Sequence, residues 1–276
     1  MTPSPASLPP SGLAAAVGAF KIAGRTIDER IAEGIADGRL VQFRDGRLGL
    51  SADDAGSELL SSDAPTIPTK GTFSAPCRFL NHFLFTIVYG EAQVPYGCRA
   101  CYKIWIHPES LRALFALKEV MDATPYTSKI KVEALNQVSP NVYLGIVYGG
   151  DLAETRAIYH AVRTAVTADE RLGAEVRMEI RRGCQNYERL CGPSDRYSFD
   201  PALESVEAAL LDQFVRPSEP GRPKAQRDAA ARLRMVQIAH QLGDESYKDF
   251  TGGKSLSISP VQYAPGGDML GDDETC

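Results

Sequence analysis

A chain of 276 residues that is 43% hydrophobic can bury a sizeable core, as one large domain or two small ones. Its net charge of −5 and pI near 5.5 give no overall attraction for nucleic acid or anionic membrane. No apolar run approaches the roughly 18 residues of a membrane helix, and no basic region followed by a long apolar core opens the chain, so the expected location is the cytoplasm. Its six cysteines do not resemble a small disulfide scaffold, and in a reducing compartment they point to metal binding or redox chemistry.

Residues 1–12, rich in proline and serine, read as a disordered leader. Within residues 13–62, Leu13–Ile22 and Ile27–Ile35 are expected as short helices. Arg39–Phe43 and Arg47–Leu50 are expected as a hairpin, because Asp45-Gly46 between alternating runs favours a tight turn. Helices followed by a two-stranded wing resemble part of a winged-helix domain. That resemblance implies a protein contact or substrate gating as readily as DNA binding, and the acidic balance makes nucleic acid an unexpected partner.

Asp53–Lys70 is a Ser, Asp, Pro and Thr linker, with the boundary between units at 63–71. Cys77–Gly90 is the most apolar run, and its aromatic and β-branched content predicts a buried strand. Cys77 and His82 within it are expected as core side chains.

Residues 72–215 carry the main domain, expected to fold alone. Tyr102–His107 alternates as a strand, with His107 expected in solvent. Leu111, Leu114, Leu117, Val120 and Met121 mark a helix. Lys129–Leu135 alternates as a strand with one face in water, Asn136–Asn141 is a turn, and Val142–Tyr148 is apolar on both faces, as a central strand should be. Asp151 caps a second helix running through Ile158, Val162 and Val166 towards Gly173, and Val176, Met178 and Ile180 alternate along an edge strand. This order is α+β, a ferredoxin-like βαββαβ core. Pro201–Val215 and Lys224–Leu242 are expected as helices, joined by a Pro-rich hinge at Arg216–Pro223. The second lies in a C-terminal unit at 216–251 and puts Arg227, Arg232 and Arg234 opposite Leu233, Val236, Ile238 and Ala239. Residues 252–276 form an acidic tail bearing Cys276.

The chemistry gathers in Gly97-Cys98-Arg99-Ala100-Cys101 and Gly183-Cys184 through Cys191. In a ferredoxin-like sheet the strand order is fourth, first, third, second, so the start of the first strand, after Cys101, lies beside the end of the last, before Cys184. With neighbouring strands roughly 4.8 Å apart, Cys98, Cys101, Cys184 and Cys191 are the expected ligands of one metal centre. Four thiolates suit either zinc or an iron-sulfur cluster. The six residues between Cys184 and Cys191, too many for a tight zinc knuckle, favour a 4Fe-4S cluster, with Arg99, Arg182 and Arg189 offsetting its charge. No phosphate loop, dinucleotide fingerprint, H-E-x-x-H or G-x-S-x-G occurs. The expected function is a redox protein for electron transfer or for cluster or cofactor maturation, with a protein partner and no membrane contact. The alternative is a zinc-stabilised interaction or regulatory protein.

Overall fold

Strand alternation and helical periodicity build the centre of this α+β chain, a five-stranded antiparallel sheet with helices packed on one face. The computed structural model describes residues 15–51, 64–69, 77–133, 142–172, 175–215 and 223–256. The expected leader at 1–12, most of the linker at 53–70, the Asn136–Asn141 turn, Gly173, all of the hinge but Pro223, and the tail beyond residue 256 with Cys276 lie outside the described residues.

The sheet runs β5 (Thr66–Pro68), β7 (Ser128–Val132), β8 (Tyr143–Gly149), β6 (Tyr102–His107), β9 (Arg177–Arg182) in spatial order. Helix α3 (Leu111–Ala123) joins β6 to β7, and α4 (Leu152–Ala168) joins β8 to β9. Each starts at a side-chain cap: Ser110 Oγ accepts from Ala113 N at 3.2 Å, and Asp151 Oδ1 from Glu154 N at 2.8 Å. Ile104, Ile106, Ile130, Val132 and Val147 meet Leu114, Leu117, Met121, Val162 and Val166 in one core. Helix α7 (Lys224–Gln241) completes it with Met235, Val236, Ile238 and Ala239, while Leu233, expected on that face, is exposed. The core of the central domain therefore extends beyond residue 215.

The other face of the sheet is covered rather than solvated. Trp105, Leu144 and Ile146 form a small cluster there, and Lys103, His107 and Lys131 on the same face are buried. His107 lies against Glu179, with Nε2 and Oε1 3.1 Å apart. Alternation of polar and apolar residues locates two faces correctly, but it does not reveal that long side chains on the polar face are themselves covered.

A second core sits at the cysteine end. Its floor is an 11-residue π-helix, Arg78–Val88, where a strand was expected. The run is apolar on every side, so it carries no period to separate a strand from a buried helix. The helix satisfies its own backbone groups, and its end keeps the wide pitch, with Tyr89 N donating to Leu84 O at 2.7 Å. Helix α2 (Ile27–Ala36) packs Ile27 and Ile31 into this core, preceded by α1 (Ala15–Gly18) and the short hairpin β1 (Lys21–Ile22) and β2 (Arg25–Thr26). The expected first helix is cut short at Gly18, and left-handed Ala23 and Gly24 make the β1–β2 turn. The wing hairpin β3 (Leu40–Gln42) and β4 (Leu48–Leu50) pairs as read, turning through left-handed Gly46. Part of the expected linker is β5, whose Ile67 pairs with Ile130. Pro68 is tolerated there because β5 is an edge strand.

Candidate thiol centre

Backbone pairing brings the cysteine loops together. In β6 and β9 Tyr102 stands opposite Arg182, so the residues flanking the pair, Cys101 and Gly183, also meet: Gly183 N donates to Cys101 O at 2.7 Å. Gly183 takes a left-handed φ of 75°, which turns the chain so that Cys184 starts helix α5 (Gln185–Cys191). On the other side, a 3-10 turn at Tyr96–Cys98 places Cys98 inside the second core, 3% exposed.

A buried carboxylate holds that turn. Glu207, on α6 (Leu203–Gln213), accepts from Tyr96 N at 2.6 Å, Gly97 N at 2.8 Å and Tyr89 Oη at 2.9 Å. Burial pushes its carboxyl pKa up, against the pull of those three donors. Tyr187 of α5 closes the other side: it is fully buried, with its ring 4.5 Å from Phe85 and its hydroxyl 3.5 Å from Cys98 Sγ.

The cation facing the sulfurs is Lys103. It is buried, and its Nζ donates to Gly183 O at 2.8 Å and lies 3.7 Å from Cys184 Sγ. Burial alone would lower the pKa of this ammonium, but Cys184, then Cys101, Tyr148 and Cys77, reverse the direction and hold it above its usual value. Among the described residues no carboxylate forms an ion pair with it. A buried charge is stable only beside an opposite one, and the acidic groups around Lys103 are three thiols and the Tyr148 phenol. Lys129, half-buried near the same Tyr148 ring, is pulled down to about 8 by burial and by Lys103.

The expected ligands divide. Cys184 acts on both Cys98 and Cys101: burial and then Cys184 raise Cys98, and burial raises Cys101 against the pull of Lys103, with Cys184 adding to the rise. Cys191 ends α5, and its Sγ points to Glu91 O at 3.8 Å. Burial and then Glu91 raise its pKa. Cys77, just ahead of the π-helix, is pushed up to about 11 by burial and then by Cys184. The expected arginines lie apart from the sulfurs. Arg99 pairs with Glu204 at 3.2 Å, Arg182 donates to Arg99 O, and Arg189 is exposed.

No known protein family, curated protein or solved structure matches the chain. Any reading of the site therefore rests on its own chemistry. Soft sulfur donors, buried beside a cation, are the set that selects zinc or an iron-sulfur cluster. Among the described residues no three His, Cys, Asp or Glu side chains stand ready-made around a single ion position. No helix among the described residues is long and apolar enough to cross a membrane.

Lys103 and Glu207 were not read as site residues, although each left a trace in the sequence. Lys103 follows the first cysteine pair by two positions in a strand. Glu207 interrupts the stripe of Leu203, Val206 and Leu210.

Proposed function

We propose that the thiols around Lys103 hold an iron-sulfur cluster, of the 4Fe-4S type, on a ferredoxin-like sheet, and that the protein serves electron transfer or cluster or cofactor maturation. Cys98, Cys101 and Cys184 are three of its ligands. The observation that carries this reading is the buried Lys103 ammonium, whose surrounding acidic groups are Cys184, Cys101, Tyr148 and Cys77. An anionic thiolate centre supplies the counter-charge that such an ammonium requires.

When bound, such a cluster accepts and releases single electrons. Around it the chain's own residues have separate tasks. Lys103 offsets the negative charge of the sulfurs and hydrogen-bonds at Cys184. Tyr187 and Phe85 keep water from Cys98, and Glu207 fixes the turn that presents it. A partner protein would approach the rim, where Arg99 is exposed.

The second reading is a zinc-stabilised interaction or regulatory protein that works through its winged-helix-like segment. Val41 and Phe43, exposed on the β3–β4 hairpin, favour it. Anaerobic purification followed by iron, zinc and acid-labile sulfide analysis separates the two. Iron with equimolar sulfide and a brown colour is expected; zinc without sulfide selects the second reading, and neither metal overturns both.

A further inference from the structure

A lysine nitrogen and a cysteine sulfur are held in contact where β6 and β9 end. Lys103 stands opposite Arg181 in the paired strands, and the left-handed turn at Gly183 brings Cys184 round to it, with Lys103 Nζ 3.7 Å from Cys184 Sγ. The nitrogen is fixed in that place. It also donates to Gly183 O at 2.8 Å, and its side chain is buried, 8% exposed. Cys184 is half-buried, so its sulfur is open to a small oxidant in solvent, whereas Cys98 at 3% exposure is shut away.

We propose that Cys184 and Lys103 form a reversible oxidant-sensing pair: a hydroperoxide oxidises the thiol, and the lysine nitrogen traps the product as a sulfur–nitrogen bond. The pairing is independent of what the thiols bind, and it acts while the sulfurs hold nothing. In the first step Cys184 Sγ attacks hydrogen peroxide; an S–O bond forms, the O–O bond breaks, and the thiol becomes a sulfenic acid as the peroxide is reduced to water. In the second, Lys103 gives one proton to solvent and its lone pair attacks that sulfur. An N–S bond forms, the S–O bond breaks, and the hydroxyl leaves as water with a second proton of the amine; sulfenic acids condense with nitrogen in this way. Two equivalents of a thiol reverse the bridge, returning the Cys184 thiol and the Lys103 amine and leaving as a disulfide. The bridge fastens the start of β6 to the loop after β9 and, on the reading of the thiols as a metal centre, withholds Cys184 from it.

Full-length protein, made metal-free, is treated with hydrogen peroxide, blocked with iodoacetamide and mapped by mass spectrometry. Wild type should lose tryptic cleavage after Lys103 and yield peptides joined through Lys103 and Cys184, lighter than their reduced sum by two hydrogens, about 2 Da. Dithiothreitol should separate them. Lys103→Arg keeps the positive charge but has no amine to condense, so Cys184 should remain a sulfenic acid that dimedone captures. The wild-type map decides by itself should that variant fail to fold. A disulfide between Cys184 and Cys101 overturns the proposal, as does equal capture of Cys184 by dimedone in wild type and Lys103→Arg, or a Cys184 that stays reduced. Each of these outcomes leaves the metal reading intact, since metal and sulfide analysis decides that separately.

Discussion

The sheet core and the core beneath the thiols adjoin at the cysteine end of β6, yet they are stabilised in different ways. In the first, Ile104, Ile106, Ile130 and Val147 face Leu114, Leu117, Val162 and Val166, aliphatic side chains in regular elements that need nothing but one another. In the second, Phe79, Phe83, Phe85 and Tyr187 share one cluster with Cys98, and a buried carboxylate and a buried ammonium hold the loops in place. Polar groups inside an apolar region cost stability unless every partner is present. On the proposed reading of the thiols, this second core is the part of the molecule whose stability depends on what the sulfurs hold.

The largest effect should come from pH acting on that core. Burial raises the thiols of Cys98 and Cys101, so in the neutral range they are protonated and, on the proposed reading, must release protons when a metal binds. Affinity then rises with pH, by about tenfold per unit for each proton released. Competition titrations with Cd2+ at pH 6, 7 and 8 should show this climb. A flat profile would mean that the thiols are already ionised.

Core substitutions come next, and they test whether the two regions are separate. Phe83 and Leu114 are each fully buried, one in each core. Phe83→Ala should cost about 3–5 kcal/mol and Leu114→Ala about 2–5 kcal/mol. The losses are of similar size, but only Phe83→Ala should release metal under conditions where the protein is still folded. Metal content measured alongside urea unfolding decides this. Parallel metal loss in Leu114→Ala would show that the cores melt as one unit.

Glu207→Gln preserves size while removing a charge that accepts from three donors. A charge-assisted hydrogen bond contributes about 1.5–3 kcal/mol, and the new amide group would face a backbone N–H. We expect a loss in that range, concentrated in faster hydrogen exchange at Tyr96 and Gly97 and faster metal release. Unchanged exchange at those amides would remove Glu207 from its role as the clamp of the Cys98 turn.

The sheet core was legible because its residues obey a period. Ile104 and Ile106 alternate, Leu114 and Leu117 recur at helical spacing, and Asp151 announces a helix start that the structure keeps. The thiol-side core was not, for a physical reason visible at Phe83 to Val88. A segment apolar all round offers no face to read, and its π-helical pitch follows from its surroundings. Cys77, expected as a core side chain of that strand, instead stands at the N-cap of the π-helix. Lys103 was placed on the correct strand face, but its burial depends on what covers that face. The six residues between Cys184 and Cys191 were read only as a spacing too long for a zinc knuckle, because no cap or periodic stripe marks so short a helix.

The smallest effect should fall on the sheet core, at the start of α3. Its first-turn donors are shared among separate acceptors: Ala113 N donates to Ser110 Oγ at 3.2 Å, Leu111 N to Asp244 Oδ2 at 2.7 Å and Arg112 N to Ser246 Oγ at 3.1 Å. A lost serine cap costs roughly 0.5–2 kcal/mol. Because Asp244 and Ser246 keep their bonds in Ser110→Ala, and Asp244 is further held by Tyr143 Oη at 2.5 Å, the cost should lie at the low end, about 0.5–1 kcal/mol. Chemical denaturation measures it, with metal content read on the same samples and expected to equal wild type. A loss above about 2 kcal/mol would mean that the C-terminal segment does not support this helix end, and that α7 and the turn after it contribute less to the sheet core than their packing indicates.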